Sequence, residues 1–554
     1  MRLDVGGPRR YLLLTLLCLA LFLPGVFSLP PLDRDEARFA QATKQMIETG
    51  DLVDIRYQEV ARHNKPVGIY WMQALSAVII GGGDADAPIW AYRIPSLIGA
   101  IAAVLLTAWV GTIVFGPTIG FYGGALLALT VLIGVEARLA KTDAMLLATI
   151  VATEAVLARA YLTLHGKPGP SRAEQMVFWL ALGLGLLIKG PIILMVLGLT
   201  IVPLGIVERR WRWLLGLKPW PWLLLALAII LPWLILITLR TDGGFFAESV
   251  GKDLAGKVGE GQESHGAPPG YYLGLAWLTF WPGTLLLVAT LPAIWRRWRE
   301  PAMRFCLAWS VPTWIVFELV ATKLPHYVLP TYPAVALAAV AAFLDRKGAP
   351  TRALDRWFFY AAAQLWAVAT AIVTIGLPIA PRWIGGSIDW PSLVIGALVL
   401  IGLGVIALPA QWRANHARAL VALGAGAVLS FGLIYQQLFP STEAFWMSRA
   451  ASDAVKGAKP CETTVLASAG YHEPSLVFLT GTNTRLVRGN EAAAHLLTDP
   501  PCALALIEEK QMADFMARLA EAGAAPRTLA TFEGYNYSKG DPVTLTLFTL
   551  KPAD

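Results

Sequence analysis

The chain has 554 residues, of which 56% are hydrophobic and only 15% charged. Soluble globular domains carry about 25% charged residues, so this composition excludes an ordinary soluble protein. The formal net charge of +7 does not indicate a nucleic-acid partner, because Lys and Arg fall in short loops between apolar runs and build no continuous basic face.

The first apolar run, 11–29, follows Arg9 and Arg10 and looks like a secretory leader. It lacks a small-residue cleavage site of the Ala-x-Ala type, which predicts an uncleaved first helix. A helix needs about 20 apolar residues to cross the hydrocarbon. Thirteen stretches meet that need: 11–29, 94–115, 118–136, 144–164, 174–189, 190–207, 220–239, 271–293, 302–321, 327–344, 357–379, 390–409 and 418–438. The run 67–80 is shorter, carries Tyr70, Trp71 and Gln73, and ends in Gly81-Gly82-Gly83-Asp84. It predicts an interfacial or re-entrant helix inside a long first external loop, 30–93. The 21 tryptophans suit a chain with many membrane-interface positions.

Basic loops orient the spans. With the N-terminus in the cytoplasm, the loops 165–173, 208–218, 295–304, 345–356 and 411–418 all fall inside. They carry, among others, Lys167, Arg210, Arg297, Arg352 and Arg413. Thirteen crossings then deliver the C-terminus to the outside. After Pro440 the apolar runs shorten, at 464–467, 476–479, 503–507 and 543–548, and helix-like stretches at 453–456 and 511–522 alternate with them. This predicts a transmembrane domain over 1–440 and a small external α/β domain over 441–554. The tail reads as accessory, without a catalytic acid, although His472 and Glu473 are adjacent. Cys18 and Cys306 lie in apolar runs as packing residues. Cys461 and Cys502 share the tail, where an external location allows a disulfide without implying one.

Charges that the inside loops do not explain are functional candidates. The first external loop opens with Asp33-Arg34-Asp35-Glu36-Ala37-Arg38-Phe39, continues as a helix through Met46 and Ile47 to Gly50, and reaches Arg62-His63-Asn64-Lys65-Pro66. A plain reading makes this a solvated amphipathic helix. Lys141-Thr142-Asp143 follows Glu136 and Arg138 at the external end of the third crossing, where the plain reading is a helix cap. An even number of crossings separates Asp35 from Asp143, so both face the same side. Lys189, the 242–270 loop with Lys252, Lys257 and His265, and the turn Lys323-Leu324-Pro325-His326-Tyr327 face that side as well. Two acids and several cations then surround one external cavity. Acids can activate a hydroxyl, and cations can hold a phosphate.

These strings, with Arg93-Ile94-Pro95-Ser96, Leu187-Ile188-Lys189-Gly190 and Gly244-Phe245-Phe246, occur in an order that resembles the polyprenyl-phosphate-dependent GT-C glycosyltransferases. Within that superfamily the chain is most similar to bacterial aminoarabinose lipid A transferases and protein O-mannosyltransferases, over about residues 10 to 345. The resemblance implies a polytopic α-helical membrane protein of GT-C type, with about 13 transmembrane helices and a C-terminal periplasmic α/β domain. It implies a bacterial inner-membrane location with the active site in the periplasm. Asp35 and Asp143 take the positions of the catalytic acids. Arg38, Lys65, Lys189, His326 and Tyr327 match substrate-binding positions. Lys252 and Lys257 stand where relatives carry an arginine. The implied partners are a polyprenyl-phosphate-linked sugar donor, membrane lipids, and lipid A or another envelope glycan or protein as acceptor.

The chain departs from the aminoarabinose transferases at Asn64, where they carry an acid. Without that carboxylate no metal site is expected, and no cofactor is required. A single displacement would invert the anomeric centre. The alternatives are a lipid-linked glycan polymerase or ligase and a transporter or flippase. Transporters often show two similar halves, and this chain has none.

Overall fold

The computed structural model describes residues 7–83, 85–254, 256, 266–384, 386–500 and 502–550, without the side chains of 250 and 252–254. Among these residues, seven helices are long and apolar enough to cross a membrane: Ile89–Val114, Asp143–His165, Pro219–Arg240, Pro325–Leu344, Ala353–Ile384, Trp390–Trp412 and His416–Ser441. All thirteen stretches marked out by the sequence are helical over most of their length. Several are shorter or broken. The 118–136 stretch divides at Thr130 into Pro117–Leu129 and Val131–Glu136, and the 271–293 stretch divides into Tyr271–Thr279 and Thr284–Arg296.

Small residues let these helices approach closely. A Cβ added at Gly120 would lie 2.4 Å from the Ala108 carbonyl oxygen, so only glycine permits the packing of Pro117–Leu129 on Ile89–Val114. Arginines close other joints. Arg138 is buried and donates to the carbonyls of Pro24 (2.6 Å), Leu21 and Gly134 while lying 3.9 Å above the Tyr435 ring.

The first external loop is well ordered by its own sequence. Helix Asp35–Thr49 has two acids in its first turn, which suits the positive end of the helix dipole, and stops at Gly50, whose φ of 70° favours glycine. A two-strand hairpin follows, β1 (Arg56–Tyr57) and β2 (Val60–Ala61). Helix Gly68–Ile80 has 13 residues, about 20 Å of rise against about 30 Å of hydrocarbon. It packs on Asp35–Thr49 and Ile89–Val114.

The C-terminal segment forms a five-stranded mixed sheet from β3 (Leu466–Ala469), β4 (Arg485–Val487), β5 (Leu504–Glu508), β6 (Pro526–Asn536) and β7 (Asp541–Leu550), in the order β4-β3-β5-β7-β6. β3 is parallel to β4 and β5, and β7 is antiparallel to β5 and β6. β3 and β5 are buried along their whole length, as expected of central strands. A disulfide joins Cys461 to Cys502, with Cα atoms 5.3 Å apart. One element differs from its sequence reading. The apolar run at 476–479 lies in helix Pro474–Thr480 and is not a strand. Four apolar residues cannot fix a period, and Pro474 starts a helix well.

This sheet leans on the first external loop. Gln41 Nε2 donates to Thr482 Oγ1 at 2.7 Å, Gln58 Nε2 donates to the carbonyls of Thr482 (3.0 Å) and Thr484 (2.6 Å), and the rings of Tyr92 and Phe478 meet edge to face at 5.4 Å.

Candidate active site

A cavity of about 670 Å³ opens between the first external loop and the ends of the membrane helices. Its floor is apolar, with Leu132, Val135, Leu146 and Met195. Its rim brings together Asp35, Arg38, Lys65, Asp143, Lys189, His326 and Tyr327, the candidate residues named from the sequence whose side chains are described. Lys252 lies in the turn of helix Ala247–Leu254 with its side chain outside the described residues, and Lys257 and His265 are outside them altogether.

Asp35 is the first residue of helix Asp35–Thr49. Burial raises its carboxyl pKa, but the charges of Lys141, His326 and Arg62 outweigh burial and hold it below the usual carboxylate value. The group is therefore ionised at neutral pH. Arg38, three residues on, shares its helix face and the cavity. Arg62 lies 5.0 Å above the Phe39 ring and donates to Tyr70 Oη at 3.2 Å. Lys65 Nζ donates to the Asn64 carbonyl at 2.9 Å. Arg38, Arg62 and Lys65 all line the cavity.

Asp143 lines the same cavity. It is the first residue of helix Asp143–Tyr161, but neither it nor Thr142 supplies the side-chain cap that the plain reading expected. Its Oδ1 instead lies 2.5 Å from Lys189 Nζ and 3.7 Å from His326 Nε2, and its Oδ2 lies 3.8 Å from Lys141 Nζ. Lys189 ends helix Arg172–Lys189, where the dipole favours a cation, and sits 6.0 Å from the Tyr327 ring centre. Lys141 Nζ also reaches Glu136 Oε1 at 3.0 Å. Burial lowers the Lys141 pKa, but Glu136, Asp143 and Asp35 raise it further, so this lysine stays charged.

Arg62, Lys141 and Glu136 stand in the charged strings of the sequence without an assigned role, and all three line the cavity. The signal was present for the first two, which stand three residues before Lys65 and two before Asp143. Other motif residues turn out to be structural. Glu36 and Arg93 form a buried pair, and Lys323 Nζ donates to the carbonyls of Glu318 (3.0 Å) and Val320, closing the end of helix Pro301–Leu319. His63 is buried between Asp54 (2.8 Å) and Glu248 (3.3 Å), which fastens the first loop to the 247–254 helix. Asn64 is exposed, and no group of three or more His, Cys, Asp or Glu among the described residues could hold a metal ion.

Comparison with known proteins adds to this geometry. The sequence pattern of the family described as dolichyl-phosphate-mannose-protein mannosyltransferase matches residues 64–236. An undecaprenyl phosphate-alpha-4-amino-4-deoxy-L-arabinose arabinosyl transferase of Yersinia enterocolitica is 27% identical over 410 residues, 70% of this chain and 70% of that protein. The protein of the same name from Edwardsiella ictaluri is 25% identical over 415 residues, 73% of this chain and 72% of its own length. The crystal structure of ArnT from Cupriavidus metallidurans bound to undecaprenyl phosphate has a TM-score of 0.73 at 17% identity, over 98% of both chains. Its apo form gives 0.71 at 18% identity, over 97% of both. The chain shares their polytopic membrane fold.

Proposed function

We propose that this protein, a membrane glycosyltransferase of the GT-C type, moves a sugar from a polyprenyl-phosphate donor to a hydroxyl of an envelope acceptor, lipid A foremost. The observation that carries this reading is one cavity lined by an ionised acid at a helix start and by Arg38, Arg62 and Lys65. Its apolar floor suits a prenyl chain, and its cations suit a phosphate.

In this reaction the acceptor oxygen bonds to the anomeric carbon while the bond from that carbon to the phosphate oxygen breaks. The prenyl phosphate leaves with the electron pair, and the hydroxyl proton passes to Asp35. Negative charge grows on the leaving phosphate, so fixed cations stabilise the transition state more than the ground state. Arg38, Lys65 and Tyr327 face the donor phosphate, and the sequence alone assigns Lys252 and Lys257 to the same role. Asp143, ion-paired to Lys189 and close to His326, keeps that lysine and the imidazole in place and bounds the acceptor side. One displacement inverts the centre. No cofactor takes part. We place the reaction on the periplasmic face of the bacterial inner membrane, with thirteen crossings, a membrane domain over 1–440 and an external domain over 441–554.

The test uses purified protein in detergent with undecaprenyl-phosphate-linked sugars and lipid A. Glycosylated lipid A, detected by mass spectrometry, should appear with one equivalent of undecaprenyl phosphate. Absence of transfer with every polyprenyl donor, or transfer from a nucleotide sugar instead, would overturn the reading.

A further inference from the structure

Asp35 lies between two anchors. On one side, Glu36 is fixed by Arg93 of the membrane bundle. On the other, Asp33 and Arg34 are held by the C-terminal segment, across more than 400 positions of sequence. Ser475 donates to Asp33 Oδ1 from its hydroxyl and from its backbone N–H (3.3 Å), and the Asp33 N–H donates to Tyr537 Oη at 2.8 Å. Arg34 Nη2 donates to the Ser538 carbonyl.

The corner between the anchors is strained. Arg34 has φ 66° and ψ −115°, a region that side-chain-bearing residues rarely adopt. Such a conformation persists only where the surroundings over-determine it. The residues that do so here come from two loops of the C-terminal sheet. One follows β3, carries Glu473 and runs into the first turn of helix Pro474–Thr480, where Ser475 lies. The other is the β6–β7 turn, carrying Tyr537 and Ser538. Glu473 Oε1 accepts from Asn536 Nδ2 at 2.9 Å, and Asn536 Oδ1 accepts from the N–H groups of Ser538 (3.1 Å) and Lys539 (3.2 Å). Glu473 thus locks one loop to the other. Behind them, Ser475 Oγ, its own hydrogen given to Asp33, lies 2.5 Å from Ser448 Oγ and accepts from it, and Ser448 meets Tyr471 Oη at 2.9 Å. The carboxyl end of β3, between β4 and β5, is the place where open α/β sheets usually present binding loops. In this protein the object bound there is the Asp33–Asp35 corner.

We propose that the C-terminal α/β segment is the positioning device for the catalytic acid. Ser475 and Tyr537 hold Asp33, Ser538 holds Arg34, and the pair Glu473–Asn536 holds the two loops, so that Asp35 enters the cavity at a fixed angle. These are positioning residues that act through Asp35. The inference rests on the reading of Asp35 as the acid of glycosyl transfer, and its test has an arm that does not.

The experiment compares full-length wild type with Ser475→Ala, Tyr537→Phe, Ser475→Thr and the exposed control Arg518→Ala, in detergent. Hydrogen exchange is measured over residues 32–38, and turnover and donor KM are measured with an undecaprenyl-phosphate sugar. Ser475→Ala and Tyr537→Phe should raise exchange over 32–38 and lower kcat by about 10-fold or more, the order expected of a small misplacement, with donor KM unchanged. Ser475→Thr, which keeps the hydroxyl, should restore most of the loss, and Arg518→Ala should change neither readout. Unchanged exchange over 32–38 would overturn the holding role, whether or not the wild type transfers sugar. Raised exchange with full turnover, or a fall in kcat matched by equal losses of donor affinity and thermal stability, would overturn the positioning role. A wild type that transfers no sugar would sink the functional reading, and the exchange result would still decide whether the tail holds the corner.

Discussion

Arg93 and Glu36 form a two-pronged ion pair, at 2.8 and 2.9 Å, with both side chains essentially removed from solvent. Arg93 also donates to the carbonyls of Val26 (2.8 Å), Leu29 (2.8 Å) and Pro30 (2.9 Å), and Glu36 accepts from the N–H groups of Leu32 (2.9 Å) and Ala140 (3.0 Å). Every direction in which these groups can bond is used. The pair ties the entry of the 30–93 loop to membrane helix Ile89–Val114 and to the turn at Ala140.

Arg93→Ala is therefore expected to destabilise the fold by about 3 kcal/mol or more, the cost of leaving a buried charge without its partner. Thermal unfolding in detergent measures this. An Arg93→Ala protein that melts at the wild-type temperature would show that the clamp contributes little.

Asp35→Asn keeps the side-chain volume and removes the base. Turnover should fall about 100-fold or more, while undecaprenyl phosphate still binds. Arg38→Ala and Lys65→Ala should weaken donor binding as well as turnover, because the phosphate is charged in both ground and transition states. Arg62→Ala should behave in the same way. Normal turnover in Asp35→Asn would remove that residue from the chemistry, and normal donor binding in all three cation variants would remove these cations from the donor site.

Asp33 gives a pH signature of its own. Burial, reinforced by the nearby charge of Glu473, pushes its pKa from 3.8 up to about 7. The folded state thus favours the protonated form. The contribution of Asp33 to stability is fully present below about pH 3.8 and is lost as pH rises through about 7. The wild-type melting temperature should lose this contribution between those limits, and Asp33→Asn, which cannot ionise, should show a flatter profile. Identical profiles would mean that Asp33 ionises normally in the folded protein.

Sidedness is checked with reporters. One fused after Ala410 should report the cytoplasm and one fused at Ser441 the periplasm. The same report from both would rule out thirteen crossings.

The cavity rim was legible in the sequence because its charges stand out against apolar runs. Asp35, Asp143, Lys189 and His326 come from distant segments, yet parity of crossings alone put them on one side, and they line one cavity. What each charge does there was not legible. Arg93, Arg138 and Lys323 have the same side-chain chemistry as Arg38, but they spend their donors on backbone carbonyls. Only three-dimensional burial separates these two uses. In the tail, β3, β5 and β7 matched apolar runs, whereas β4, with only three residues, the half-exposed β6 and helix Gly489–Thr498 were not foreseen. The tail was read as accessory because it lacks an acid-and-cation cluster. Its contacts with the first loop run through serine, tyrosine and main-chain groups, which leave no charge pattern to read.

The hydrogen bond from Ser475 to Asp33 spans 442 positions of the chain. Asp35 leaves the ribosome long before the groups that hold its corner. A nascent chain halted anywhere before residue 475 carries every charge of the cavity rim but no grip on the strained corner. On the proposed reading, transfer then waits for the segment that carries Ser475, Tyr537 and Ser538, so a chain halted before it would not consume donor lipid.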